Sequence, residues 1–181
     1  TPGKPGGDDD EPAEPLPGGR GRSLVLYCSR TGNTERVARQ IRTVLDCDML
    51  EVEPAVPYED DYNAMLERAQ EELAAIRQGD YPAVATYVEH FDDYDTVFVG
   101  YPIWYGSMAS PMQAFLYAHA SELAGKRIAL FATSGSSGVS ASVGEARSLC
   151  PDAEFTEVLH LTQNTLEETE LRVTAWLERL E

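Results

Sequence analysis

The chain has few of the residues that build disulfide frameworks or zinc sites, and it lacks a long apolar run. Its 181 residues include only three cysteines and three histidines. An odd number of widely spaced cysteines, Cys28, Cys47 and Cys150, predicts neither a disulfide framework nor a zinc site, although a bridge between the last two is left open. No apolar run approaches the roughly 18–20 residues of a transmembrane helix.

Basic residues are also scarce. Fourteen Lys and Arg stand against 31 Asp and Glu, which gives a net charge of −17. This balance argues against nucleic acid and against anionic membrane surfaces as partners, because both attract basic faces. It favours a basic protein partner, with solubility alone as the alternative explanation.

The first 22 residues lack hydrophobic periodicity. They contain five prolines, six glycines and an acidic run at 8–11. Such a composition cannot bury a core and predicts a disordered or extended linker over 1–22. Residues 23–181 are then expected to form one domain. We expect a cytoplasmic protein, with an exported form tethered through the linker as the alternative.

After the linker, apolar runs alternate with segments of helical periodicity. The pattern predicts five strands, at 24–28, 47–52, 96–100, 127–132 and 155–161, and helices around 37–45, 58–79, 110–119, 140–149 and 165–180. Ser110 is the predicted N-cap of the third helix, and Thr165 with Glu168 forms a predicted capping box. Strands that each lead into a helix predict an α/β fold with a parallel sheet and right-handed crossovers.

Three loops that follow predicted strands carry glycines, hydroxyls or aromatic rings. They lie at 29–34, 101–106 and 133–138. Ligands of parallel sheets bind beyond the carboxyl ends of the strands, so we expect these loops to converge. The first loop combines three hydroxyls and Gly32 with a helix N-terminus, which is typical of a phosphate cradle that needs no Lys.

Other phosphate-binding and catalytic signatures do not fit this loop. A tyrosine phosphatase loop led by Cys28 would need Arg at position 34, which is Thr34. The Gly-Lys-Ser/Thr sequence of a Walker loop and the dinucleotide-binding glycine fingerprint are both absent. The histidines are scattered, so a zinc or Ser-His-Asp enzyme finds little support. No catalytic residue and no metal ligand is predicted.

The order of the motifs resembles the flavodoxin family. Ser29-x-Thr31-Gly32-x-Thr34 after the first strand matches the flavodoxin phosphate loop. The segment Tyr101-Pro102-Ile103-Trp104-Tyr105-Gly106 is similar to the flavin-flanking loop of a subgroup with a Pro-x-Trp-aromatic-Gly pattern. The resemblance covers 23–181 and implies a flavodoxin-like three-layer α/β/α sandwich with a five-stranded parallel sheet of order 2-1-3-4-5. It also implies FMN as the cofactor.

The resemblance further implies which residues bind FMN. The phosphate would be bound by the hydroxyls of Ser29, Thr31 and Thr34 and by the backbone amides of Arg30, Gly32 and Asn33. The Arg30 side chain is expected to point outward rather than pair with the phosphate. The flavin would be flanked by Pro102, Ile103, Trp104, Tyr105 and Gly106, with Trp104 and Tyr105 as stacking candidates.

The third loop differs from that of better-known flavodoxins. Many of them place an aromatic ring here, whereas 133–138 contains none. Ser134, Gly135 and Gly138 are expected to contact the flavin through their backbone. One face of the ring would then be open to solvent or to a substrate.

Two redox functions follow from this resemblance. The first is an electron carrier that passes electrons through FMN between protein partners with basic docking faces. The alternative is an NAD(P)H-dependent FMN or quinone reductase, whose small substrates are a nicotinamide and a quinone. A module that keeps the fold without FMN is a third possibility.

Overall fold

Apolar runs form a sheet whose main strands are parallel, in a computed structural model that describes residues 22–180. The strands are β1 (Ser23–Tyr27), β2 (Asp48–Glu51), β3 (Thr96–Trp104), β4 (Ser107–Met108), β5 (Arg127–Ser134), β6 (Glu154–Phe155) and β7 (Leu159–Thr162). The order is β2-β1-β3-β5-β6, with β7 also paired to β5 and β4 to β3. The predicted linker at 1–22 lies, except for Arg22, outside the described residues.

The predicted strand order is confirmed, with one interruption. The fifth predicted strand, 155–161, is divided into β6 and β7, which pair with the two ends of β5. Between them the Glu157 carbonyl accepts a hydrogen bond from the Trp176 indole at 2.9 Å. The Thr156 amide still donates to the Ile128 carbonyl of β5 at 3.0 Å, so the interruption is confined to about one residue, whose carbonyl is engaged by a helix.

Six α-helices in the described residues cover the sheet. They are α1 (Asn33–Leu45), α2 (Tyr62–Ile76), α3 (Ser110–Ala118), α4 (Ala120–Leu123), α5 (Ser140–Leu149) and α6 (Thr169–Leu180). Short 3-10 turns occupy Phe91–Asp93 and Leu166–Glu168. None of the helices between residues 22 and 180 is both long and apolar enough to cross a membrane.

The two faces of the sheet support separate hydrophobic cores. In β1, Leu24 and Leu26 belong to the core shared with α3 and α5. Val25 and Tyr27 belong to the core shared with α1 and α6. This alternation is the period of two expected for a strand, and burial on both faces explains the continuous apolar run. The predicted three-layer sandwich is confirmed.

Several predicted element ends are wrong. The second helix begins at Tyr62 rather than 58, because Asp61 caps it by accepting a hydrogen bond from the Ala64 amide at 2.9 Å. Ala109, not Ser110, is the N-cap of α3. Thr165 forms no side-chain cap, since its hydroxyl accepts from the Thr162 amide at 2.8 Å.

Candidate functional site

The loop at 29–34 joins β1 to α1 and has the geometry of an anion cradle. Gly32, the N-cap of α1, has a φ of 95°, a value that favours glycine. Its amide donates to the Ser29 hydroxyl at 3.0 Å. Thr31, Gly32 and Asn33 are exposed. Amides in the first helical turn have no carbonyl partner within the helix, so they are available to an anion.

The hydroxyls of this loop have different surroundings. Thr34 is buried, and its hydroxyl shares a hydrogen bond of 2.8 Å with the Thr133 hydroxyl at the end of β5. The Thr31 hydroxyl is exposed and has no hydrogen-bond partner among residues 22–180. The Thr31 hydroxyl is therefore free to bind a ligand, whereas the Thr34 hydroxyl joins this loop to the end of β5.

Arg30 points away from the loop, toward the segment that follows β2. Its Nη2 atom donates to the carbonyls of Glu59 and Asp60 at 3.4 and 3.3 Å. Its Nε atom is buried without a partner in the described chain. This side chain therefore bridges two segments and lines the cleft between them.

The segment 101–106 is a strand and a tight hairpin, so its prediction as a loop after Gly100 is wrong. β3 continues beside β5 as far as Pro102 and then pairs Ile103 and Trp104 with β4. Tyr105 and Gly106 form the two-residue turn, with φ values of 52° and 77°. Two positive φ values are typical of a type I′ hairpin turn.

The ends of the hairpin are fixed by neighbouring helices. The Glu145 carboxylate on α5 accepts from the Met108 amide at 2.8 Å. The Gln113 amide on α3 donates to the Met108 carbonyl at 2.7 Å. The hairpin places Trp104 half-buried, while Tyr105 at the tip is 51% exposed.

The loop at 133–138 is stabilised by its own hydrogen bonds. The Ser134 hydroxyl lies 2.8 Å from the Ser137 carbonyl and 2.9 Å from Nε2 of His160. Gly135 and Gly138 are exposed. No aromatic residue of this loop can stack on a ligand, as the sequence indicated.

A cleft of about 240 Å³ lies beside the first two of these loops. Cys28, Ser29 and Arg30 line one end, residues 51–54 and 57–60 line a side, and Trp104 and Pro111 complete it. Three predicted site residues, Ser29, Arg30 and Trp104, thus meet at one cleft. The other predicted site residues are not among its lining residues: Thr31, Gly32, Asn33, Thr34, Pro102, Ile103, Tyr105, Gly106, Ser134, Gly135 and Gly138.

The segment 53–60, here called the wall segment, was missed as part of the site. It follows β2 at the same edge of the sheet as the predicted loops. Its prolines, Pro54 and Pro57, are typical of a segment that ends a strand and carry no signal for a ligand. The position after a parallel strand was the signal that could have identified it.

The wall segment is fixed to α2 and α3 by a cluster of polar side chains. The Glu72 carboxylate accepts from the Tyr58 hydroxyl and from Ser110 at 2.7 Å. Arg68 donates to Glu72 at 3.1 Å and to the carbonyls of Val56 and Pro57. Burial and the bond to Glu72 raise the pKa of Tyr58, so it remains a neutral phenol.

Acidic groups dominate the cleft. Glu51, Glu53, Glu59 and Asp60 line it, together with the single cation Arg30. Burial, with Glu53 and Glu35 nearby, raises the pKa of Glu51. Burial also raises the pKa of the Cys28 thiol, which stays protonated. The cleft therefore suits an uncharged ligand body, whereas the amides of the loop at 29–34 suit an anionic end.

The fold and the cleft define a class of protein: a doubly wound α/β domain that binds a planar, phosphorylated ligand. Its family is shown by comparison, since the flavodoxin family model matches residues 22–180. The chain belongs to the flavodoxin family. It is an FMN-binding flavodoxin-like protein, so the predicted cofactor, FMN, is confirmed.

Solved structures support the same family. A Bacteroides eggerthii protein assigned to the flavoproteins is 31% identical, with a TM-score of 0.72 over 87% of this chain and 96% of the other. A Bacteroides uniformis counterpart is 27% identical, with a TM-score of 0.72 over 85% and 98%. A Lactobacillus acidophilus flavoprotein in complex with FMN is 21% identical, with a TM-score of 0.67 over 82% and 97%, which shows the fold. No curated protein matches the chain.

Proposed function

We propose that this chain carries electrons between protein partners through bound FMN. The observation that carries the proposal is that Ser29 and Arg30 from one motif and Trp104 from a distant one line a single cleft. The loop at 29–34 thus reaches, through Ser29 and Arg30, the cleft that contains a half-buried aromatic ring. The Lactobacillus acidophilus protein, which has the same fold and was solved with FMN, supports FMN as the ligand.

The loop at 29–34 binds the phosphate of FMN in this proposal. The Thr31 hydroxyl and the first-turn amides of α1 donate to the phosphate oxygens. Glu35, the one carboxylate in this turn, is engaged by Arg39 at 2.6 Å, which reduces its repulsion of the anion. Ser29 orients the loop through its bond to the Gly32 amide.

Trp104 and the wall segment hold the flavin ring. Stacking on an aromatic side chain contributes roughly 0.5–1.5 kcal/mol beyond area burial. The bound cofactor supplies the redox chemistry, and the protein supplies orientation, exclusion of water and electrostatics. The acidic lining of the cleft favours a neutral ring and opposes added negative charge there.

Basic redox proteins are the proposed partners. The net charge of −17 attracts a basic docking face and accelerates encounter at low salt. Association should weaken as ionic strength rises, because exposed charges are screened beyond about 10 Å at 0.1 M salt. The exposed loop at 133–138, without an aromatic ring, leaves that side of the site accessible.

The experiment is a titration of the purified chain with FMN and with riboflavin, followed by absorbance and flavin fluorescence. We expect a yellow protein that binds FMN more tightly than riboflavin and is reversibly reduced by dithionite. A colourless protein that ignores added FMN would overturn the proposal. Sustained oxidation of NAD(P)H with a quinone would overturn the carrier role and support a reductase instead.

A further inference from the structure

Trp104 is packed against one specific partner in the wall segment. The Tyr58 and Trp104 rings lie 5.5 Å apart between centroids and are inclined by 88°, an edge-to-face arrangement. Both residues line the cleft. The position of Tyr58 therefore restricts the rotamers that Trp104 can adopt.

Tyr58 is in turn held by Glu72. Its hydroxyl donates to the Glu72 carboxylate and lies 3.1 Å from the Ser110 hydroxyl. The Arg68 guanidinium lies 4.1 Å from the centroid of the Tyr58 ring. The Glu72 side chain is only 14% exposed, so solvent competes little for these bonds.

We propose that Glu72 is a positioning residue for the flavin ring: through Tyr58 it fixes Trp104 in the orientation that stacking requires. Glu72 receives donors from the wall segment, α2 and α3, so one carboxylate joins three parts of the fold. The ring site is then already formed before the cofactor binds, which lowers the entropic cost of binding. This inference rests on the proposed function, since it assumes a flavin ring beside Trp104.

The test compares FMN and riboflavin binding in wild-type, Glu72→Ala, Glu72→Gln and Tyr58→Phe proteins. We expect Glu72→Ala to weaken both ligands equally, by about tenfold, the value of one lost hydrogen bond to a charged group. Glu72→Gln keeps an acceptor for Tyr58 and should recover most of that loss. Tyr58→Phe keeps the ring but loses its hydrogen bond to Glu72. Its loss of affinity should lie between the losses of Glu72→Gln and Glu72→Ala.

A second measurement uses the protein without cofactor. The chain has two tryptophans, of which Trp176 is fully buried. Acrylamide quenching of fluorescence therefore reports mainly on Trp104. We expect faster quenching in Glu72→Ala than in wild type, because Trp104 is no longer restrained.

Two matched variants separate positioning from stability. Glu168 pairs with Arg172 at 2.6 Å on the exposed surface, at the same four-residue spacing as Glu72 and Arg68. Glu168→Ala should change neither binding nor quenching. Val173→Ala removes buried volume from the opposite core and should lower stability without altering either readout.

The outcomes distinguish this inference from the proposed function. If wild type binds no FMN, the proposed function fails, and quenching alone still decides whether Glu72 restrains Trp104. If wild type binds FMN, but a folded Glu72→Ala protein has the same riboflavin affinity and the same quenching as wild type, the positioning role is overturned. It is also overturned if Glu72→Ala loses affinity for FMN but not for riboflavin. If Glu72→Ala does not fold, the same comparison of FMN affinity, riboflavin affinity and quenching is made between Tyr58→Phe and wild type.

Discussion

The two ends of the cleft are built in different ways. The phosphate end is the contiguous loop at 29–34 before and at the start of α1, of which Ser29 and Arg30 line the cleft and Thr31 to Asn33 are exposed beside it. The ring end combines Trp104 with Tyr58 and, through Glu72, with Ser110, so that its parts come from four separate segments. Local backbone geometry determines the first end, whereas side-chain packing between distant segments determines the second. Substitutions at the two ends should therefore give different ligand signatures.

The largest effect is expected at the phosphate end. Thr31→Val should weaken FMN by about 1.5–3 kcal/mol, because a hydrogen bond to a charged phosphate is lost. Riboflavin lacks that phosphate, so its affinity should stay unchanged. Fluorescence titrations with both ligands measure the difference. Thr43→Val on α1, where the hydroxyl bonds only the Arg39 carbonyl, is the matched control. An equal loss for both ligands would place Thr31 at the wrong end.

The buried pair of hydroxyls that joins the phosphate loop to the end of β5 should instead affect stability. Thr133→Val leaves the Thr34 hydroxyl buried without its partner, which should lower the free energy of unfolding by about 1–3 kcal/mol. The double variant Thr34→Val/Thr133→Val should lose less free energy of unfolding than the two single variants together, because no unpaired buried hydroxyl remains in it. Urea unfolding without cofactor measures the double-mutant cycle. Strictly additive losses would show that the two hydroxyls do not depend on each other.

The ring end should respond to both ligands alike. Trp104→Leu should weaken FMN and riboflavin equally, by about 0.5–1.5 kcal/mol, because stacking is lost while an apolar surface remains. Tyr105→Leu should have a smaller effect, since Tyr105 is half exposed and does not line the cleft. Fluorescence titrations of the two variants with FMN and riboflavin measure these losses. A larger loss for Tyr105→Leu would assign the stacking ring to the hairpin tip.

The smallest effect concerns the charge between the two ends. The folded state raises the pKa of Glu51 above 4.5, so it binds more protons than the unfolded state just above that pH. The free energy of unfolding then falls as pH rises through this window, and the cost persists at pH 7. Glu51→Gln should remove the cost and stabilise the protein at pH 7 by less than about 1 kcal/mol after solvent screening.

Thermal melts between pH 4 and 8 measure this change. The variant should lose the part of the pH dependence that Glu51 contributes. Glu178→Gln, on the exposed side of α6, changes the net charge equally and serves as the control. A Glu51→Gln protein less stable than wild type at pH 7 would show that the carboxylate contributes favourably.

The sequence predicted those parts that depend on short-range pattern. The continuous apolar run of β1 and the helical spacing in α1 predicted these elements, and the motif order predicted the family and the cofactor. The ends of elements were less predictable. Ser110 resembles an N-cap, but its hydroxyl donates to Glu72 instead. Tyr58 fits the helical period of α2, yet it lies in the wall segment, since Asp61 starts the helix.

The sequence by itself determined the alternation of strands and helices and a phosphate loop whose groups are contiguous. These features depend on residue period and on backbone geometry over a few positions. The sheet order was implied by the resemblance of the motifs to the flavodoxin family. Only the tertiary structure decided that Trp104 continues a strand, that Thr34 bonds Thr133, and that Arg30 reaches the wall segment. The Thr34 and Arg30 contacts join residues 99 and 29 positions apart, so no local pattern records them. The Trp104 pairing is a short hairpin with Ser107, whose position beside β5 depends on the rest of the sheet.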